Sequence, residues 1–111
     1  PDKARIYSSQ LCGAPWSAQS QGRLAAILSA FRANGVEAVD LQPVLAAVAA
    51  REAAYWRTDT HWNQRGAAAA AAAIAERSAR ANVERREGIR TTLAAQESDA
   101  PADLLRLMGL D

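Results

Sequence analysis

Between residues 22 and 34 the apolar side chains Leu24, Ile27, Leu28 and Phe31 recur at spacings of three and four, and Asn34-Gly35 follows. That rhythm predicts an amphipathic helix with one buried stripe and a glycine stop. Val36, Ala38, Val39 and Leu41 then make a short apolar run of strand length. Pro43 suits a first helical turn, so residues 44–52, with Leu45 and Val48, read as a second helix. Residues 53–57, with Tyr55 and Trp56, are a second strand candidate, and 58–62 form a polar and aromatic connection. Asn63 has the side chain of an N-cap, and residues 64–81 are dominated by alanine, the strongest helix former. A third helix is predicted there, with a surface small enough to pack closely on a sheet. Charges of both signs crowd 82–90, the pattern of a solvated helix end or loop. Residues 89–96 read as a weak strand and 97–101 as a loop, while 102–108, with Leu104, Leu105 and Leu107, close at Gly109 as a short capped helix.

Helix and strand alternate, which predicts an α/β layered domain with helices packed on a mainly parallel sheet. Only two or three strands can be found, fewer than a usual sheet holds. Composition sharpens the same shortage: leucine, isoleucine, valine and phenylalanine together make up only about 18 % of the 111 residues, and about a quarter is alanine. One small domain is the most this length allows. The 13 basic and 12 acidic groups leave a net charge of +1, so neither wholesale disorder nor a nucleic-acid partner is supported. A local basic cluster between Arg77 and Arg90 is the one exception. Cys12 is the single cysteine and excludes an intramolecular disulfide framework. No run approaches the roughly 20 apolar residues of a membrane span. The sequence starts at Pro1 without methionine, so the lack of a visible targeting segment carries little information.

Tyr55, Trp56 and Trp62 fall within eight positions, and the same window holds the only histidine, in Tyr55-Trp56-Arg57-Thr58-Asp59-Thr60-His61-Trp62-Asn63. An Asp and a His two apart in extended backbone point to the same side. They can therefore act as orienter and base: a buried carboxylate takes the Nδ1 proton, fixes the tautomer and stabilises the imidazolium formed when Nε2 accepts a proton. The alternative is that Asp59 and His61 are turn residues holding the start of the following helix, with the tryptophans as packing. A metal site would need more ligands than this pair supplies, and no second histidine exists. Cys12 as a nucleophile for His61 lacks the surroundings of a strained strand-to-helix turn.

Arg57-Thr58-Asp59-Thr60-His61-Trp62-Asn63, followed by Gly66-Ala67, resembles the Asp-x-His motif of the alginate O-acetyltransferase family, the AlgX and AlgJ type. Three other segments resemble that family in the same order. Pro1-Asp2-Lys3-Ala4-Arg5-Ile6-Tyr7 is similar to the lysine and tyrosine segment after its first strand. Val39-Asp40-Leu41 with Pro43-Val44-Leu45 is similar to the approach to the motif, and Asp103-Leu104-Leu105-Arg106-Leu107-Met108-Gly109-Leu110 to the segment beyond it. Two departures stand out. Ser8 replaces the proline that usually follows the tyrosine, and the family's serine nucleophile, in a Gly-x-Ser context well downstream of the motif, has no counterpart in the 50 residues after His61.

The resemblance implies a partial SGNH-hydrolase-like (flavodoxin-like) fold, with residues 1–111 an incomplete interior portion of one acetyltransferase domain. It also implies a Ser-His-Asp triad with Asp59 and His61 in this chain and the serine outside it, an extracytoplasmic (periplasmic) setting, a polysaccharide acceptor and an acetyl donor, other polysaccharide-modification proteins as partners, and no cofactor. Arg57 and Trp62 flank the motif and are candidates to meet a sugar carboxylate and a sugar face. The portion alone is expected to be inactive and marginally stable. A non-catalytic carbohydrate-binding or assembly module of the same fold is the competing reading, and an alanine-rich helical interaction protein a third, marked by mostly helix and no sheet.

Overall fold

The computed structural model describes residues 2–13, 17–81 and 103–109. They form five α-helices: α1 (Lys3–Ile6), α2 (Ala18–Ala33), α3 (Gln42–Ala49), α4 (Gln64–Arg80) and α5 (Asp103–Leu107), with a 3-10 turn at Ser8–Gln10. The capping chemistry accounts for several of the boundaries. The Asp2 carboxylate accepts from Arg5 N at 2.7 Å to open α1, and the Ser17 hydroxyl accepts from Ser20 N at 3.1 Å to open α2, four residues ahead of the expected start. α2 closes at Gly35, whose φ of 68° lets Val36 N reach Phe31 O (2.9 Å) and Gly35 N reach Arg32 O (3.2 Å). Pro43 lies in the first turn of α3, as its missing N–H allows. Asn63 caps α4, its side-chain oxygen accepting from Gly66 N at 3.0 Å.

Three expectations need correction. The α2 stripe is not fully buried: Ile27 and Phe31 are 43 % and 44 % exposed and Leu24 and Leu28 are half-buried, because the described elements cover that face only in part. Residues 36–41 are free of helix but join no ladder, since no described residue lies beside them as a pairing strand. Residues 53–57 shrink to one antiparallel bridge between Tyr55 and Trp62. The parallel sheet therefore has no counterpart among the described residues. The charged run at 82–90, the weak strand at 89–96 and the loop at 97–101 lie outside them.

The core is small and sits beside the motif. Leu45, Ala54 and Tyr55 are buried, and Ile6, Tyr7, Leu41, Val48, Ala49 and Trp62 pack against them. α3 packs on α4 and on α1, so the alanine face of α4 meets a helix here. Gly66 brings α4 onto the chain at Ala54: a Cβ built at Gly66 would lie 2.1 Å from Ala54 O, closer than any side chain could be accommodated without backbone movement. Tyr7 fixes the same segment, its hydroxyl accepting from Ala54 N at 2.9 Å and its ring meeting Tyr55 edge-on at 6.1 Å.

Candidate active site

Residues 53–63 close on themselves. Trp56 N donates to His61 O at 3.2 Å and Asn63 N to Ala54 O at 3.1 Å, while the Asn63 amide donates to Ala53 O at 2.6 Å. Asp59 sits at the bend, fully buried. Its Oδ1 accepts from His61 N at 2.7 Å, the turn in which an aspartate bonds the backbone two residues on, and the same oxygen meets His61 Nδ1. The carboxylate and imidazole are thus brought together by a bend, where strand alternation was the expected route. Asp59 Oδ2 accepts from Asp103 N at 3.3 Å.

These contacts set the charge of Asp59. Burial pushes its carboxyl up, but the hydrogen bonds from His61 N, the imidazole and Asp103 N outweigh that, and the net shift is downward from 3.8. An ionised Asp59 accepts the Nδ1–H, which directs the other nitrogen of the ring, Nε2, to act as acceptor. The His61 side chain is 74 % exposed, and no described residue takes up Nε2. A buried anchor and an open base on one imidazole is the arrangement that general-base chemistry requires.

Asp103 completes the cluster. Its Oδ1 accepts from Thr60 N at 2.8 Å, its Oδ2 meets the Thr60 hydroxyl, and that oxygen lies 3.7 Å from His61 Nδ1. Leu104 N donates to Thr58 O at 3.1 Å, so the start of α5 is tied to both sides of Asp59. The ligand atoms of Asp59, His61 and Asp103 lie within 4.8 Å of one another, and the two carboxylates also accept from His61 N, Asp103 N and Thr60 N. Sequence reasoning placed Asp103 in a family-like segment without giving it a role. Its carboxylate is taken up by Thr60, 43 residues away in sequence, so no local signal pointed to it.

Lys3 anchors the loop from the other side. Its ammonium donates to Trp56 O at 2.6 Å, Arg57 O at 2.9 Å and Asp59 O at 3.0 Å. Arg57 and Trp62, the two flanking candidates, go to different places. The exposed Arg57 lines an open groove of about 950 Å³ with Lys3, Tyr55, Trp56, Thr60 and Leu104. Trp62 is half-buried against the cluster of Leu45, Ala54 and Tyr55. Cys12 is exposed and, among the described residues, its thiol meets Gln10 O at 4.0 Å and not His61.

Among solved structures the chain is similar to the O-acetyltransferase domain of Pseudomonas putida AlgJ, with a TM-score of 0.70 and 31 % sequence identity, over 78 % of this chain and 31 % of that one. The chain thus spans under a third of the length of that structure. The search of curated proteins returned no match. The whole sequence, residues 1–111, matches the family described as the SGNH hydrolase-like domain of the acetyltransferase AlgX. With the Asp59–His61 pair, the lysine and tyrosine segment and the Asp103 segment assembled around one bend, the chain belongs to the AlgX family of SGNH hydrolase-like acetyltransferase domains.

Proposed function

We propose that this chain is the base-bearing portion of an extracytoplasmic polysaccharide O-acetyltransferase, with Asp59 and His61 as two members of a Ser-His-Asp triad and the serine contributed from outside residues 1–111. The observation that carries the reading is the buried Asp59 on Nδ1 of an imidazole whose other nitrogen is open to solvent.

In the proposed cycle, Nε2 of His61 takes the proton of the serine hydroxyl as the oxygen attacks the acetyl carbonyl. The donor's leaving group departs with that proton, leaving an acetyl-serine. A sugar hydroxyl, deprotonated by the same nitrogen, then attacks the acetyl-serine, which yields the acetylated sugar and restores the serine. Asp59 remains ionised throughout and stabilises the imidazolium of each half-reaction. Arg57 is exposed whereas Trp62 packs on the core, so Arg57 is the flanking residue assigned to a sugar carboxylate in this reading.

The test is acetyl-ester turnover by the full-length protein. His61→Ala is expected to lower kcat by about 10³-fold or more. Unchanged turnover would remove His61 from the chemistry and favour a non-catalytic sugar-binding or assembly module.

A further inference from the structure

Twelve of the thirteen basic residues are arginine, and Lys3 is the only lysine. It stands where three backbone carbonyls, of Trp56, Arg57 and Asp59, converge within 2.6 to 3.0 Å of one nitrogen. The chemistry of the site explains the exception. An ammonium presents three donors in a tetrahedral fan from a single atom, whereas a guanidinium presents its donors in one plane. Converging carbonyls that share one point suit the first and not the second. These carbonyls belong to the segment that ends at Asp59, and they lie 53 to 56 residues from Lys3 in sequence.

We infer that Lys3 is a positioning residue for the proposed reaction: a tethered cation that holds the backbone before Asp59 in the one bend that aims its carboxylate at His61 Nδ1. The inference rests on the base role of His61 and adds a second control over it. Three carbonyl dipoles pointing at one place repel one another when no cation lies between them. Without the ammonium the segment swings outward, and water replaces Lys3 on the carbonyls. The Asp59 carboxylate keeps its own bonds to His61 N and Asp103 N but loses its fixed height relative to the ring. An ångström of misplacement in such a pair costs about 10- to 100-fold in rate. A small acetyl ester makes no sugar contact with Arg57, so with that substrate the loss is read on kcat.

The experiment compares Lys3→Ala, Lys3→Arg and His61→Ala in the full-length protein. The readouts are turnover of a small acetyl ester, the melting temperature, and the low-field proton NMR signal of the imidazole Nδ1–H. Lys3→Ala is expected to lower kcat by about 10- to 100-fold with KM changed less than about twofold, to broaden the Nδ1–H signal, and to recover part of its rate with added methylammonium, a cation small enough to enter the vacated carbonyl pocket. Lys3→Arg keeps the charge in the wrong shape and is expected to lower kcat while staying folded, which decides the matter if the alanine variant does not fold. Wild-type kcat and an intact Nδ1–H signal in folded Lys3→Arg would overturn the inference. Loss of turnover in His61→Ala together with such a result would overturn it alone, leaving the base role standing. Full turnover in His61→Ala would overturn the base role and, with it, the rate effect assigned to Lys3.

Discussion

Two regions of this chain use their apolar residues in opposite ways. In the bend at 53–63 and its neighbours, Leu45, Ala54 and Tyr55 are buried, and Asp59 and Asn63 are buried with partners. Along α2 the sequence pattern is the cleaner one, yet no residue of the helix is buried. Periodicity states which side chains share a face; it does not state that another element arrives to cover it. The well-held region is instead one whose backbone is tied by polar groups from far along the chain: the Lys3 ammonium, the Tyr7 hydroxyl and the Asp103 carboxylate. Small residues allow that approach, and Gly66 against Ala54 O is its tightest point.

The contrast can be broken by deleting apolar bulk on each side. Leu45→Ala is expected to destabilise the protein by about 2–5 kcal/mol, because a fully buried leucine leaves a cavity that its neighbours fill only in part. Urea unfolding of the intact protein measures it. A loss under about 1 kcal/mol would mean that the core around Tyr55 is looser than its burial indicates.

Acid should weaken the bend next. Asp59 titrates below its ordinary value in the folded state, so between the folded and unfolded pKa values the unfolded chain binds more protons. Its contribution is complete above the unfolded carboxylate value, near about 4, and is lost as the pH falls through the folded one. The urea midpoint should therefore drop on acidification more for the wild type than for Asp59→Asn, the two curves converging at the acid end. Parallel curves would show that Asp59 is not held by these bonds.

The smallest effect is expected on α2. Phe31→Ala, at a position 44 % exposed, should change stability by less than about 1 kcal/mol. A loss as large as that of Leu45→Ala would show that the face of α2 is covered in the intact protein and would erase the contrast.

Much of this was legible in the sequence, for identifiable reasons. Local signals worked where the chemistry is local: Asn63 as a cap, Gly35 and Gly109 in left-handed backbone, Pro43 in a first turn, and alanine through α4. The Asp59–His61 pair was readable because two residues of spacing constrain where both side chains lie. What failed depends on partners. A run such as 36–41 has strand composition whether or not another strand lies beside it, and the described residues supply none. The resulting picture of helix without sheet is what an alanine-rich interaction protein would show, and it is the family match that sets that reading aside. The gathering of Lys3 and Asp103 about the bend could not be derived from spacing, since the contacts span 43 to 56 residues. The lone lysine in an arginine-rich chain was a visible clue whose meaning only the converging carbonyls supply.

The bridge between Tyr55 and Trp62 has a consequence for the order in which the site assembles. Closing that short loop costs little chain entropy, and it already places Asp59 beside His61. Docking Lys3 and Asp103 requires closing loops of more than forty residues, which is slower and comes at greater entropic cost. The imidazole and its carboxylate can therefore meet early in folding, in a nascent bend that is not yet aimed. The long-range ties close the longer loops, so the aiming of the base depends on distant parts of the chain having found their places.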